Sequence, residues 1–384
     1  MLKQGLFCGI MQINRQNNIK GMIFMKRFLS ILLSVVMIIS AIPLSSSATS
    51  DKFVTTYSIT DNFVNLFYAV KNIFDSILGF LDGDKRIDYS NYTEMPFEVP
   101  GLDDGFIPQG ICFVENMGMF AISGYMPDDA DGNSQFSRIY FVNPETNESK
   151  MFVIDNYSGH AGGIACHEND LWISSGGSES TNGKIYHFTL DMFTAESGSA
   201  VSFDGYFSVP VKGSVLYCDG KKLWVTEFYN SDNKVNEAHH YGSNHAWSCG
   251  YDLPIDVDYS AKEQLVPDVV LSVPDKVQGM AITDDGEVIF STSYGRRNDS
   301  KMYVFEEYLN WDTNTVNVFD SDVTLYVSKK KNRIVSFKMP TLMEGLDYYN
   351  GKLYIIFESG SKTYADAKEV NKDIWEMDID SIIR

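Results

Sequence analysis

Positive charge is scarce in this chain, and that scarcity excludes functions before any motif is read. Over 384 residues there are 31 Lys and Arg against 51 Asp and Glu, a formal net charge of −20. A surface of that sign repels nucleic acid and anionic membranes, so neither is expected as a partner. Cysteine is sparse as well. Beyond Cys8 there are Cys112, Cys166, Cys218 and Cys249. Cys166 and Cys218 hold one register in neighbouring repeats, too far apart for a disulfide, so they read as small buried apolar residues. A bridge involving Cys249 stays open. Catalytic signatures are missing too. The chain has no Gly-x-Ser-x-Gly elbow, no His-Glu-x-x-His, no Gly-rich phosphate loop and no EF-hand loop. Any catalysis would rest on residues gathered from distant parts of the sequence.

Long apolar runs are limited to one, Phe28 to Ile42. It follows Met25-Lys-Arg27 and precedes the small residues Ser45 to Ala48. At about 15 residues the run is short for a membrane span, and this layout is that of a secretory signal peptide. Met25 then reads as the true start, with residues 1–24 as an upstream extension, cleavage near Ala48 and an extracellular product. An uncleaved anchor is the alternative. All five cations of residues 1–48 leave with the signal and no acid does, so 31 cations become 26 and the net charge becomes −25. The mature chain reads as a monomer without stable membrane insertion.

What is abundant is repetition. Five times a short apolar strand opens a cassette: Phe97-Glu-Val-Pro100, Phe152-Val-Ile-Asp155, Phe207-Ser-Val-Pro210, Leu271-Ser-Val-Pro274 and Phe337-Lys-Met-Pro340. A step into a second strand follows, as in Pro108-Gln-Gly-Ile111, Val277-Gln-Gly-Met280 and Met343-Glu-Gly-Leu346. A third strand comes after a turn, as in Leu171-Trp-Ile-Ser174 and Leu223-Trp-Val-Thr226. Repeats of this length built from short strands predict a β-propeller, because one such sheet cannot bury both faces alone. The steps at Gly110, Gly163, Val215, Gly279 and Gly345 number five, so five blades are expected over residues 95–384. The last repeat supplies only three strands. Phe97–Val99 should therefore complete it by pairing with Asp373–Ile379, which removes the exposed edge. Extra length at Glu307 to Lys331 predicts a surface hairpin, with a degenerate sixth blade as the alternative. In the leader, residues 49–94, apolar residues from Ile59 to Leu81 recur at helical spacing and predict an amphipathic helix.

The residues opening each inner strand should ring the axis: Gln109, Gly162, Ser214, Gln278 and Glu344, with His160 just upstream. The loops after the next strand should bring Tyr125, Glu227, Tyr229, Tyr294, Arg296 and Glu358 to the mouth of the same funnel. Amides, a hydroxyl, carboxylates and an imidazole around one axis suit a polar small molecule or glycan, unless they serve only to satisfy backbone groups there. A glycosidase would need two opposed carboxyls, and Glu344 with Glu227 or Glu358 supplies the candidates. Glu237, His239, His240 and His245 form a second polar cluster whose spacing matches no zinc signature.

Val277-Gln-Gly-Met280, Ser291-Thr-Ser-Tyr-Gly-Arg296, Met343-Glu-Gly-Leu346 and Phe357-Glu-Ser-Gly360 resemble segments of secreted bacterial β-propeller proteins of unassigned function. The Glu-Gly and Gln-Gly steps more distantly resemble those of lactonase, arylesterase and strictosidine-synthase-like propellers. That second resemblance implies an axial calcium ion held by Glu, Asn and Asp, with Glu344 as the one matching ligand. Gln109, Gln278 and Ser214 stand where others would be. The expected function is therefore binding of a polar small molecule or carbohydrate in the funnel. The alternative is an extracellular hydrolase of esters, lactones or glycosides, with or without calcium.

Overall fold

Each cassette folds as its order demands, with its opening strand serving as the outer edge of the preceding blade. The computed structural model describes residues 89–175, 182–232 and 237–383. The signal, the upstream extension and the helix expected at Ile59–Leu81 lie outside them. Five sheets form, each antiparallel across its four blade strands. Their inner strands are Ile107–Val114, Ile164–His167, Gly213–Cys218, Val277–Ile282 and Met343–Tyr349. Each inner strand lies beside that of the next blade, and the fifth lies beside the first, so the ring closes. Val, Ile, Phe and Tyr fill the strands because β-branched and aromatic side chains pack well on a pleated surface. No helix among the described residues is long and apolar enough to cross a membrane.

Closure is by an N-terminal strand, as the strand count requires. Thr93–Glu98 lies antiparallel to Asp373–Met377, with Phe97 opposite Ile374 and Glu98 opposite Asp373. The Val99 N–H extends the ladder to the Lys372 carbonyl at 2.9 Å. Phe97 is buried and meets Phe120 of the first blade at 5.6 Å, so the closing strand also cements the blade beside it.

The glycine step is what lets the inner strands approach one another. A Cβ added at Gly163 would lie 2.1 Å from the Leu216 nitrogen, and one at Gly345 2.8 Å from the Gln109 carbonyl oxygen. Side chains cannot fit where backbones touch. Between blades the core is aromatic instead: Trp172 and Trp224, the paired Trp of the Leu-Trp motif, are fully buried. Each such ring contributes about 2–3 kcal/mol of burial.

The sixth-blade alternative does not hold among the described residues. Asp312–Val318 and Ser321–Val327 form a hairpin that leaves the fourth blade before its outer strand Arg333–Met339. Ser321–Val327 then pairs in parallel with Val269–Val273, extending the third blade to six strands. Val323, Leu325 and Val327 are buried there, so the hairpin covers an edge and builds no blade of its own. The bridge considered for Cys249 is absent as well. All four described cysteines are free, and Cys249 is fully buried.

Candidate functional site

Regular inner strands cannot aim side chains at the axis. Their residues alternate between the two neighbouring blade gaps: Ile111 packs with Phe97 and Phe120 on one side, Cys112 with Phe141 and Ile164 on the other. A bulge breaks that alternation by leaving one residue unpaired and re-aimed. The ladder slips between Pro108 and Gly110, Gly213 and Val215, Val277 and Gly279, and Met343 and Leu346. The residues released are Gln109, Ser214, Gln278 and Glu344, the rank expected around the axis. Serines on the second strand pin the bulges. Ser174 Oγ accepts from the Gly163 N–H at 2.6 Å, and Ser291 Oγ donates to the Glu344 carbonyl at 2.8 Å.

Three blades meet at this neck. Gln278 Nε2 donates to Glu344 Oε1 at 2.8 Å, and Gln109 Nε2 donates to Glu358 Oε1. The Glu344 carboxyl in turn hydrogen-bonds that of Glu358. Both are buried, at 2% and 8% exposure. Two carboxylates so close cannot both ionise in a desolvated site, so the pair retains a proton. Burial, then the charge of Glu358, raises Glu344 well above the ordinary carboxyl range. Burial also pushes Glu358 up to about 7, opposed by the Gln109 amide, the Glu344 hydrogen bond and the Arg296 charge. Glu344 therefore carries the proton and Glu358 accepts it.

A loop between Phe357 and Asp373 walls the neck. The Glu358 N–H bonds the Leu342 carbonyl at 3.0 Å, which seats the carboxyl. Arg296 ties the loop down through Asp366 at 2.6 Å and lies 4.6 Å over the Tyr364 ring. Tyr364 and Tyr125 hydroxyls meet at 3.4 Å, and Tyr125 stacks on His160 at 4.4 Å. Burial lowers the His160 pKa and raises Tyr125 to about 12, so both rings are neutral hydrogen-bonding groups near pH 7.

The structure brings Gln109, Gln278, Glu344, Glu358, Tyr125, His160 and Arg296 together. Ser214 stands at its bulge but turns its hydroxyl back to the Lys212 carbonyl at 3.2 Å. Glu227 does not join the carboxyl pair. It lies opposite Gly213, as Phe357 lies opposite Met343, so Glu227 occupies the register of Phe357 and not that of Glu358. One residue of offset turns a side chain to the other face. Glu227 is instead fully buried against His239 Nδ1 at 2.7 Å and the Trp247 N–H at 2.9 Å. Tyr294 also faces away, with its hydroxyl on Asp232 at 3.3 Å and Lys276 over its ring. Sequence reasoning missed Tyr364, which lies in the middle of the loop between Phe357 and Asp373, beyond the residues aligned across the repeats.

Glu344 was the expected calcium ligand, and the donor set does not fit that ion. Calcium takes six to eight oxygens. Here each of the two carboxyls already takes an amide N–H, so the neighbouring Gln side chains present donors and not further oxygens. Among the described residues no three His, Cys, Asp or Glu side chains are grouped to hold a metal. The histidine cluster is committed elsewhere: His239 to Glu227, and His245 to Asp275 at 2.8 Å.

No family model matches the chain, and no curated protein matches it. Among solved structures it is distantly similar to propeller-like enzymes. The PQQ-bound aldose sugar dehydrogenase of Streptomyces coelicolor is 13% identical, with a TM-score of 0.40, over 69% of this chain and 78% of that one. Myxococcus xanthus glutaminyl cyclase is 10% identical, with a TM-score of 0.39, over 74% and 94%. A GH43_1 enzyme from Xanthomonas citri is 10% identical, with a TM-score of 0.38, over 71% and 86%. Similarity at this level carries no activity across, so the function has to be argued from the neck itself.

Proposed function

We propose that this chain is a secreted propeller that binds a polar, hydroxyl-rich small molecule of the carbohydrate class at the neck of its ring. The observation that carries this reading is the convergence of Gln109, Gln278, Glu344 and Glu358 from three blades. Together they offer donors and acceptors in a fixed array, walled by Tyr125, Tyr364 and Arg296. Gln278 is only partly buried, so the array reaches solvent there. Buried polar groups of this kind reward a ligand that matches them and penalise one that does not. Titration calorimetry against neutral mono- and oligosaccharides tests it. Saturable binding that falls at least about ten-fold in Glu344→Gln is expected, since the proton donor of the pair is then replaced. A folded wild-type protein that binds none of the panel counts against the proposal.

The same pair favours one second reading, an ester or lactone hydrolase. A carboxyl held near neutrality beside a protonated partner suits general acid–base work. The carboxyls are hydrogen-bonded to each other, whereas retaining and inverting glycosidases hold theirs apart by about 5 Å or more, so the pair favours the ester or lactone branch over the glycoside one. Hydrolysis of p-nitrophenyl esters or of lactones that is lost in Glu358→Gln and inflects near pH 7 would establish it.

A further inference from the structure

The ring has a second axial opening at the far end of the inner strands. It forms a cavity of 670 Å³, within the range of small-molecule sites. Its wall is a single register repeated five times: Phe113, Cys166, Cys218, Ile282 and Tyr348, one from each blade. Its mouth carries Glu115, Glu168, Asp219 and Asp284, and no Lys or Arg lines it. The aromatic wall is firmly set, because Phe113 stacks on Tyr349 at 3.9 Å and Tyr217 anchors its hydroxyl on the Ile282 carbonyl at 2.9 Å. Asp219 is held by the Trp224 indole N–H at 2.9 Å. Burial pushes the Cys166 and Cys218 thiols up to about 12, so they are neutral wall atoms and not nucleophiles.

A chamber walled by Phe113, Tyr348 and two neutral thiols, with Asn116, His167 and four carboxylates toward its mouth, selects one ligand chemistry. The carboxylates raise the local concentration of cations at the mouth. The ring faces then favour a cation that sheds water easily over a small, strongly hydrated ion. We propose that this chamber is a binding site for an organic cation, an ammonium or quaternary ammonium group carried on an apolar body. It is separate from the carboxyl pair at the opposite neck, and either site stands if the other fails.

Calorimetry with benzyltrimethylammonium tests the assignment, with 3,3-dimethyl-1-butanol as a neutral probe and calcium chloride as a competitor. Saturable binding of the ammonium and a much weaker response to the alcohol are expected. Glu168→Gln with Asp284→Asn, both exposed turn positions, should weaken binding about five-fold at low salt. Tyr348→Leu should weaken it by a similar factor while Glu344→Gln leaves it unchanged. Equal binding of the alcohol would make the chamber merely apolar and overturn the proposal. So would wild-type affinity in both the charge and the ring variants, or calcium binding with no response to the ammonium.

Discussion

Replacing Glu358 by glutamine should remove one part of the stability this protein loses as pH rises. In the native neck the Glu358 carboxyl is raised from the usual 4.5 to about 7, with burial as the first cause. The folded state therefore holds its proton more tightly than the unfolded chain does. For a carboxyl raised in this way, stability is undiminished below the unfolded value, falls between about pH 4.5 and 7, and then levels off. A displacement of that size corresponds to a loss of about 3 kcal/mol at pH 8. The amide that Glu358→Gln introduces cannot ionise, yet its carbonyl can still accept from Gln109 and its N–H can face Glu344. Denaturant melts of wild type and variant at pH 4.5, 6 and 8 read the difference directly. The two proteins should be close at pH 4.5, and the variant should be more stable by about 3 kcal/mol at pH 8. Parallel curves, with one constant offset at all three values, would refute the claim that burial raises the Glu358 carboxyl in the folded protein.

Gly163→Ala should cost about 3 kcal/mol or more, because the added carbon meets the Leu216 backbone at 2.1 Å. Gly118→Ala, a left-handed turn position with open space around it, should cost about 1 kcal/mol, and equal losses in urea melts would remove the close-approach argument. Phe97→Ala should cost about 3–4 kcal/mol by opening the seam between the last and first blades, measured the same way. A loss below about 1 kcal/mol would mean the closing strand adds little. EDTA should leave the melting temperature unchanged, and a fall of about 5 °C or more would restore an axial ion that the donor set at Glu344 does not support.

Much of the fold was legible because repetition averages out local ambiguity. One Gln-Gly or Glu-Gly step says little. Five equivalent steps in register, three of them Gln-Gly or Glu-Gly, mark the entry to an inner strand, and four of the five carry the close-approach glycine. Closure was legible because a three-stranded last repeat leaves Phe97–Val99 without any other partner. The hairpin was legible as an insertion but not in its destination, since its parallel pairing with Val269–Val273 joins segments about 50 residues apart, with three strands of the fourth blade between them. At the site, Gln109, Gln278 and Glu344 followed from the repeat. Tyr294 did not, because proximity in sequence misled: Gly295, with φ at +86°, reverses the chain and sends Tyr294 toward Asp232 and Arg296 toward Asp366. Glu227 failed by one residue of register, which alternation in a strand converts into the opposite face.

The far chamber was not legible, and the reason lies in the geometry of inner strands. Within the regular part of each strand, side chains go to one blade gap or the other and backbone surrounds the axis. A side chain reaches the axis where the ladder slips, at Gln109, Ser214, Gln278 and Glu344, or where the strand runs out, at Phe113, Cys166, Cys218, Ile282 and Tyr348. The first set announces itself through the glycine that follows it. The second set has no shared mark, so only the folded ring shows that its members meet. Asp347 lies on the strand between the two ends, buried, with its carboxylate on the Phe113 N–H at 2.8 Å and its pKa raised by burial to about 7. It precedes Tyr348 of the chamber wall. A cation seated in that chamber would oppose the desolvation that keeps Asp347 protonated, and so should lower its pKa. Binding of benzyltrimethylammonium should therefore release protons near pH 7, which calorimetry in buffers of different ionisation enthalpy detects. Binding with no proton release would separate Asp347 from the chamber and leave it as a buried strand residue.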